Sequence, residues 1–368
     1  MDNAIVVSLI KLEHSAVSIG DSTRFPTYGT NELQWKLDGS DKWTSGFYPG
    51  CLWYACELSG NPQFERWARM WTASIENEKY NTETHDLGFR FICTFGNGLP
   101  FVNDSENSRY KEILLTAAST LSRRYNEKVG CLSSNWDAVL IRNSFPVVID
   151  IMANLNLLFW AAENGAPAYL SEYALTHART TCRDFVRPDG STYHIVRYNK
   201  NTGTIINKGT LQGAGDETTW SRGHAWMVYG LVETYAYSND SDILKYTLQM
   251  TDYFIAHLPA DHVSAWDFDS DKNYRDVSAT AIVCLALFKL ASTLDGRDVK
   301  MKYQSEAEAM LAALCQPPCF IESTASNCIL DHSVHYLPIN SNVDVPAIFA
   351  DYYLLEAIVR YKKLVIDE

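Results

Sequence analysis

The segment PQFERWARMWTASIENE, residues 62–78, decides the fold. Phe64, Trp67, Ala68 and Trp71 recur three and four positions apart, which places them along one face of a helix. The same spacing returns near the end of the chain in Ile348, Tyr352, Leu355 and Val359, with Asp344 and Pro346 suited to a helix start. Outward from these two segments, the pattern predicts helices over 49–59, 62–78, 109–125, 146–162, 169–185, 222–237, 241–257, 276–293, 301–314 and 346–362. Short strand-like pieces fall near 192–198 and 263–268.

No Pro/Gly/Ser-rich linker divides these helices, so one domain over residues 1–368 is the simpler account. About a dozen helices in 368 residues is roughly one pair per 60 residues, which suits six hairpins closing into a ring. The expected fold class is all-α, an (α/α)6 toroid or six-hairpin barrel.

Composition bounds the function. The chain is 46% hydrophobic and 20% charged, and no stretch approaches the roughly 20 apolar residues that span a bilayer, so no membrane partner is expected. The formal net charge of −13 with no basic stripe argues against nucleic acid. An anionic small substrate stays compatible, because one Arg and a few donors inside a cleft can hold a carboxylate under an acidic surface. The first residues, MDNAIVVSLIKLEHSA, carry Asp2 where a signal peptide has positive charge, and Lys11 and Glu13 break the apolar run; the expected location is cytoplasmic. Nine scattered cysteines without a CxxC pair suggest buried thiols, and Cys315, Cys319 and Cys328 lack ligand spacing, so no metal site is expected. Aromatic residues make up 12% of the chain, and its ten Trp gather near Gly, His, Gln and carboxylates in connecting segments, as in a cleft whose walls stack on sugar rings.

Several residues stand out individually. Asp150 interrupts the apolar run FPVVIDIMANLNLLFW (145–160), with Ala153, Asn154 and Leu157 on its helical face. It is either a buried Asp that bonds nearby backbone at a helix start, or a carboxyl whose proton is held toward neutrality by apolar surroundings. Asp86 in THDLGFRF (84–91) suits a turn or an N-cap as readily as a site. Arg222 and Trp226 are four apart, and Arg222 could pair with Asp216 or Glu217; the sharper reading has it meet a substrate carboxylate while Trp220 and Trp226 shape the pocket. His194 could be an ordinary satisfied polar side chain, and Trp43 and Trp136 ordinary packing.

Taken together, DKWTSGFYPGCLWY (41–54), THDLGFRF, SSNWDAV (133–139), FPVVIDIMANLNLLFW, YHIVRYN (193–199) and LQGAGDETTWSRGHAWMVYG (211–230) resemble glycoside hydrolase family 88, the unsaturated glucuronyl hydrolases. WDFDSDKNYRDVSATAI (266–282) and DYYLLEAIVR (351–360) extend the resemblance across nearly the whole chain. It implies that Asp150 is the acid/base residue and Asp86 the second central carboxylate. It implies substrate contacts for Trp43, Trp136, His194, Gln212, Trp220, Arg222 and Trp226. Where the family pattern RGQAW has Gln, this chain has His224.

The implied substrate is an oligosaccharide cut by a polysaccharide lyase, whose nonreducing uronate carries a C4=C5 double bond. The implied reaction is hydration of that vinyl ether: Asp150 protonates C4, then directs water onto C5, and the hemiketal opens to release the next sugar. This needs no metal, nucleotide or redox cofactor, in keeping with a sequence that has no GxGxxG loop and no P-loop. The chain is expected to act as a monomer or weak homodimer. The competing readings are a family 105 enzyme acting on galacturonyl or rhamnogalacturonyl ends, an inverting hydrolase of saturated sugars, and an inactive carbohydrate-binding protein. The segment 333–345, SVHYLPINSNVDV, is the candidate rim for the next sugar, and equally suits a plain loop.

Overall fold

The computed structural model describes residues 1–134 and 141–367, with side chains through residue 364. Its α-helices are α1 (Asp2–Ile19), α2 (Phe47–Ser59), α3 (Pro62–Ser74), α4 (Leu87–Phe91), α5 (Asp104–Ser122), α6 (Asn156–Glu163), α7 (Tyr169–Phe185), α8 (Ser221–Ser238), α9 (Ser241–Ala256), α10 (Val277–Thr293), α11 (Arg297–Leu314) and α12 (Ile348–Asp367). Helices α4, α6, α8, α10 and α12 pack on one another in sequence, α12 returns to pack on α2, and α2 meets the turn Ile92–Gly96 that continues α4, which closes the ring. The odd-numbered helices lie outside them, giving an (α/α)6 toroid of six hairpins.

Burial explains the two layers. Outer α3 buries Phe64, Ala68, Trp71 and Thr72 and leaves its other positions more accessible, the single apolar stripe of a surface helix. Inner α10 is buried at every position from Val277 to Phe288, as a helix surrounded by neighbours must be. Side-chain caps set several boundaries: Asn103 accepts from the Glu106 N–H at the start of α5, and Asp240 accepts from the Asp242 and Ile243 N–H groups at α9.

One inner element departs from the helix expected over 146–162, and another was not expected at all. Residues 146–148 end a strand, Ser144–Val148, that pairs antiparallel with Ile195–Asn199; a 3-10 segment, Ile149–Asn154, follows, and α6 begins only at Asn156. Pro146 cannot sit inside a helix, and β-branched Val147 and Val148 suit a strand, so the apolar run divides here. After α4 the chain continues through a π-helical turn, Ile92–Gly96, and a 3-10 turn, Leu99–Phe101. The strand expected near 263–268 is reduced to isolated bridges from Ala265 to Arg275 and from Asp267 to Trp220. Among the described residues no helix is long and apolar enough to cross a membrane.

Candidate active site

The starts of the inner elements gather at one end of the toroid. There they enclose a cavity of about 220 Å³ lined by Trp43, His85, Asp86, Phe89, Asp150, Gln212, Trp220, Arg222, Trp226, His335 and Tyr336. Trp43 precedes α2, Asp86 is the residue just before α4, Asp150 lies in the 3-10 segment before α6, and Arg222 and Trp226 occupy the first turns of α8. The helix starts also bring the positive ends of their dipoles toward one space, which favours an anionic group there.

Asp150 is buried, and its Oδ1 has no hydrogen-bond partner among the described residues. Burial pushes its pKa up to about 7; Arg222 opposes the rise and the charge of Asp86 adds to it. A carboxyl in that state can hold a proton at neutral pH and release it to a substrate. Its position is fixed by close backbone approaches on two sides. A Cβ on Gly88 would stand 2.6 Å from the Asn154 Cα, and one on Gly230 would stand 2.5 Å from the Met152 carbonyl carbon, so only glycine lets α4 and α8 press on the Asp150 segment.

Asp86 occupies the N-cap position of α4, yet its side chain caps nothing. Its Oδ2 accepts from Thr84 Oγ1 at 2.8 Å, and its Oδ1 lies 3.3 Å from His85 Nε2. Burial holds His85 below the ordinary histidine pKa. The turn chemistry and the cavity position therefore coexist at this residue.

Arg222 is almost wholly buried, and protein acceptors surround its guanidinium. It pairs with Asp276, the N-cap of α10, at 2.7 Å, rather than with Asp216 or Glu217. It also donates to Gln212 Oε1 at 3.0 Å, to the His335 carbonyl at 2.9 Å, and to the Val334 carbonyl. Arg222 thus ties α8 to α10 and to a hairpin formed by Ser333–Tyr336 and Ser341–Val345. That hairpin is the expected rim segment 333–345, and it carries His335 and Tyr336 into the cavity wall.

His194 lies beside the cavity rather than in its lining: its ring packs tilted against Trp220 with centroids 4.5 Å apart. Its Nδ1 receives the backbone N–H groups of Leu211 and Gln212 at 3.2 and 3.3 Å, which puts the proton of the neutral ring on Nε2. Burial, aided by the charge of Arg222, pushes its pKa down to about 3, so the ring stays neutral. His194 Nε2 and Trp220 Nε1 are buried donors without a partner among the described residues. His224 stands apart from the cavity. Its Nε2 is 2.8 Å from the Met250 carbonyl and its Nδ1 is 3.4 Å from Thr192 Oγ1, so it fastens α8 to α9. Trp136 lies outside the described residues. Sequence reading did not single out His85, Phe89, His335 or Tyr336 as site residues, although the first two sit within THDLGFRF and the others within the rim segment.

A buried carboxyl held near neutrality, a second carboxylate within range of its charge, and a Trp-walled cavity together define a sugar-processing enzyme of the glycoside hydrolase class. The chain is 37% identical to an unsaturated glucuronyl hydrolase of Formosa agariphila (strain DSM 15362 / KCTC 12365 / LMG 23005 / KMM 3901 / M-2Alg 35-1), over 91% of this chain and 83% of that protein. It is 30% identical to an unsaturated chondroitin disaccharide hydrolase of Streptococcus pyogenes serotype M1, over 92% and 86%. The fold superposes on the crystal structure of an unsaturated glucuronyl hydrolase specific for heparin with a TM-score of 0.92, at 33% identity, covering 99% of this chain and 97% of that one. It superposes on the unsaturated glucuronyl hydrolase of Bacillus sp. GL1 with a TM-score of 0.93, at 28% identity, over 99% and 97%. No protein-family model matches the sequence. The chain belongs to the unsaturated glucuronyl hydrolases.

Proposed function

We propose that this enzyme removes the 4,5-unsaturated glucuronic acid from the nonreducing end of lyase-generated oligosaccharides by hydrating its C4=C5 bond. The observation that carries the reading is Asp150: a buried carboxyl with an unpartnered oxygen and a pKa near 7, in a cavity it shares with Asp86. In this reading Asp150 gives its proton to C4, and the ring oxygen supplies the electron pair that leaves C5 as an oxocarbenium centre. The Asp150 carboxylate then takes a proton from water as that water bonds to C5. The resulting hemiketal opens to a ketone at C5, and the anomeric carbon, now a hemiacetal, releases the neighbouring sugar. Asp86 positions the ring, and its charge helps Asp150 keep its proton until C4 is in place.

Trp43, Trp220 and Trp226 serve as walls for the sugar, with Trp136 assigned the same part by family resemblance alone. The buried Trp220 N–H is suited to bond a sugar hydroxyl, and His194, packed against the Trp220 ring outside the lining, is assigned a sugar contact by family resemblance alone. The converging helix starts and Arg222 supply the positive field for the uronate carboxylate. Because protein acceptors surround its guanidinium, Arg222 acts as much by holding Gln212 and the 333–345 hairpin as by direct contact. We further propose that the chain is a family 88 enzyme with one catalytic domain over residues 1–368. We place it in the cytoplasm, as a monomer or weak homodimer.

The test is to incubate the protein with unsaturated disaccharides from several lyases and follow the ultraviolet absorbance of the double bond. Loss of absorbance with glucuronyl-ended substrates supports the reading. Persistence with all of them, or loss only with galacturonyl ends from pectin, sinks it.

A further inference from the structure

The opposite end of the toroid holds a second cavity, of about 200 Å³, that has no part in the chemistry above. An aromatic layer separates the two: Tyr353 packs against Trp226 of the catalytic cavity at 5.4 Å and against Tyr229 of the rear one at 5.6 Å. Four charges meet at the rear. Lys289 Nζ contacts Glu233 at 2.5 Å and Glu356 at 3.2 Å, and Arg360 approaches Glu356 at 3.8 Å. Two cations balance two carboxylates, so the lining is neutral in sum. Trp160 and Tyr237 also line it.

One polar group there is left over. Asn156 is more than nine-tenths buried and lines this cavity, yet its Oδ1 accepts no hydrogen bond from any described residue. A buried acceptor in that state costs about 1–3 kcal/mol unless something donates to it. The charges restrict the donor. An anion would meet Glu233 and Glu356, and a divalent cation would need both carboxylates free of Lys289. A neutral molecule bearing several hydroxyls meets neither objection: it can donate to Asn156 and the carboxylates, accept from Lys289 and Arg360, and lay its C–H face on an aromatic ring.

From this arrangement we infer that the rear cavity is a second, non-catalytic site for a neutral monosaccharide or similar polyol. The inference stands independently of the reaction assigned to the other end.

Saturation-transfer NMR with D-glucose tests it, comparing wild type with Asn156→Leu, Trp160→Ala and Trp43→Ala. Trp160 is only partly buried and remote from the catalytic cavity, so its variant should fold and keep normal turnover, which guards against misfolding of Asn156→Leu. The expected result is millimolar binding of D-glucose, loss of most of that signal in both rear variants, and its retention in Trp43→Ala. No saturation transfer to the wild type would overturn the inference. So would a signal that both rear variants leave unchanged, or one that Trp43→Ala abolishes.

Discussion

Asn154 Oδ1 accepts a hydrogen bond from the Phe89 backbone N–H at 2.9 Å, joining the segment that carries Asp150 to the helix that follows Asp86. The same side chain donates through Nδ2 to the Asp150 carbonyl at 3.3 Å. One buried amide therefore sets the spacing of the two central carboxylates. Asn154→Leu strands the Phe89 N–H and should lower stability by about 1–3 kcal/mol. Misplacing the carboxylates should reduce kcat on the order of a hundredfold, with a smaller change in KM. Steady-state kinetics and urea unfolding check both effects, and a variant with wild-type kcat would remove Asn154 from this role.

Gly230 extends the same argument to the other flank. Gly230→Ala places a methyl group where the Met152 backbone now stands, which no rotation of a side chain relieves. The expected outcome is a lower melting temperature together with a lost or greatly reduced kcat, read by calorimetry and an activity assay. Wild-type values for both would show that the Asp150 segment can shift without consequence.

Arg222→Met leaves Asp276 buried without its cation, a loss of about 3–5 kcal/mol for a broken buried pair. The 333–345 hairpin loses its bonds to α8 at the same time, so KM should rise in whatever fraction folds. Arg222→Lys keeps the charge but cannot reach all four acceptors, and should fall between wild type and Met in both stability and KM. Denaturant unfolding and substrate titration order the three proteins. Equal KM values for wild type and Met would contradict the proposed hold on the hairpin.

Asp150 also leaves a signature in pH. An unfolded Asp titrates near 3.8, whereas the folded protein keeps this proton up to about 7. Between those values unfolding releases the proton, so rising pH favours the unfolded chain through this group, and the effect is complete above 7. Asp150→Asn lacks that dependence. Its stability relative to wild type should therefore increase from pH 4 to pH 7 and stay level beyond. Asp351, also raised to about 7 by burial, is common to both proteins and cancels in the difference. Chemical denaturation across this range measures the gap, and a gap independent of pH would mean that Asp150 is not perturbed.

Outer helices were the most legible part of the sequence because one apolar stripe has an unambiguous period: α7 spans 169–185 as its pattern predicts, and α9 ends one residue early. The inner ring was harder. A segment buried on all sides has no polar phase, so residues 146–162 read as one helix although they divide into strand, 3-10 turn and helix. The short α4 and its π-helical turn escaped for the same reason, and α1 was obscured by Lys11, a charged residue buried with its amine on the Cys328 carbonyl. At the site, Asp86, Asp150 and three of the four Trp could be named from their segments and do line the cavity, while Trp136 lies outside the described residues. The partner of Arg222 could not be named: Asp276 is 54 residues away, and only the packing of α8 on α10 brings them together. His335 and Tyr336 enter on a hairpin whose Asn340, Asn342 and Asp344 all adopt positive φ, a loop shape that periodicity does not encode.

The central claim is that bond cleavage follows hydration of C4=C5 rather than attack at the anomeric carbon. Running the reaction on an unsaturated glucuronyl disaccharide in ¹⁸O-labelled water, and locating the label in the released uronate by mass spectrometry, tests it directly. The account predicts label on the oxygen attached to C5, with Asp150→Asn folded and inactive. Label at C1 instead, or near-normal turnover by Asp150→Asn, would contradict it.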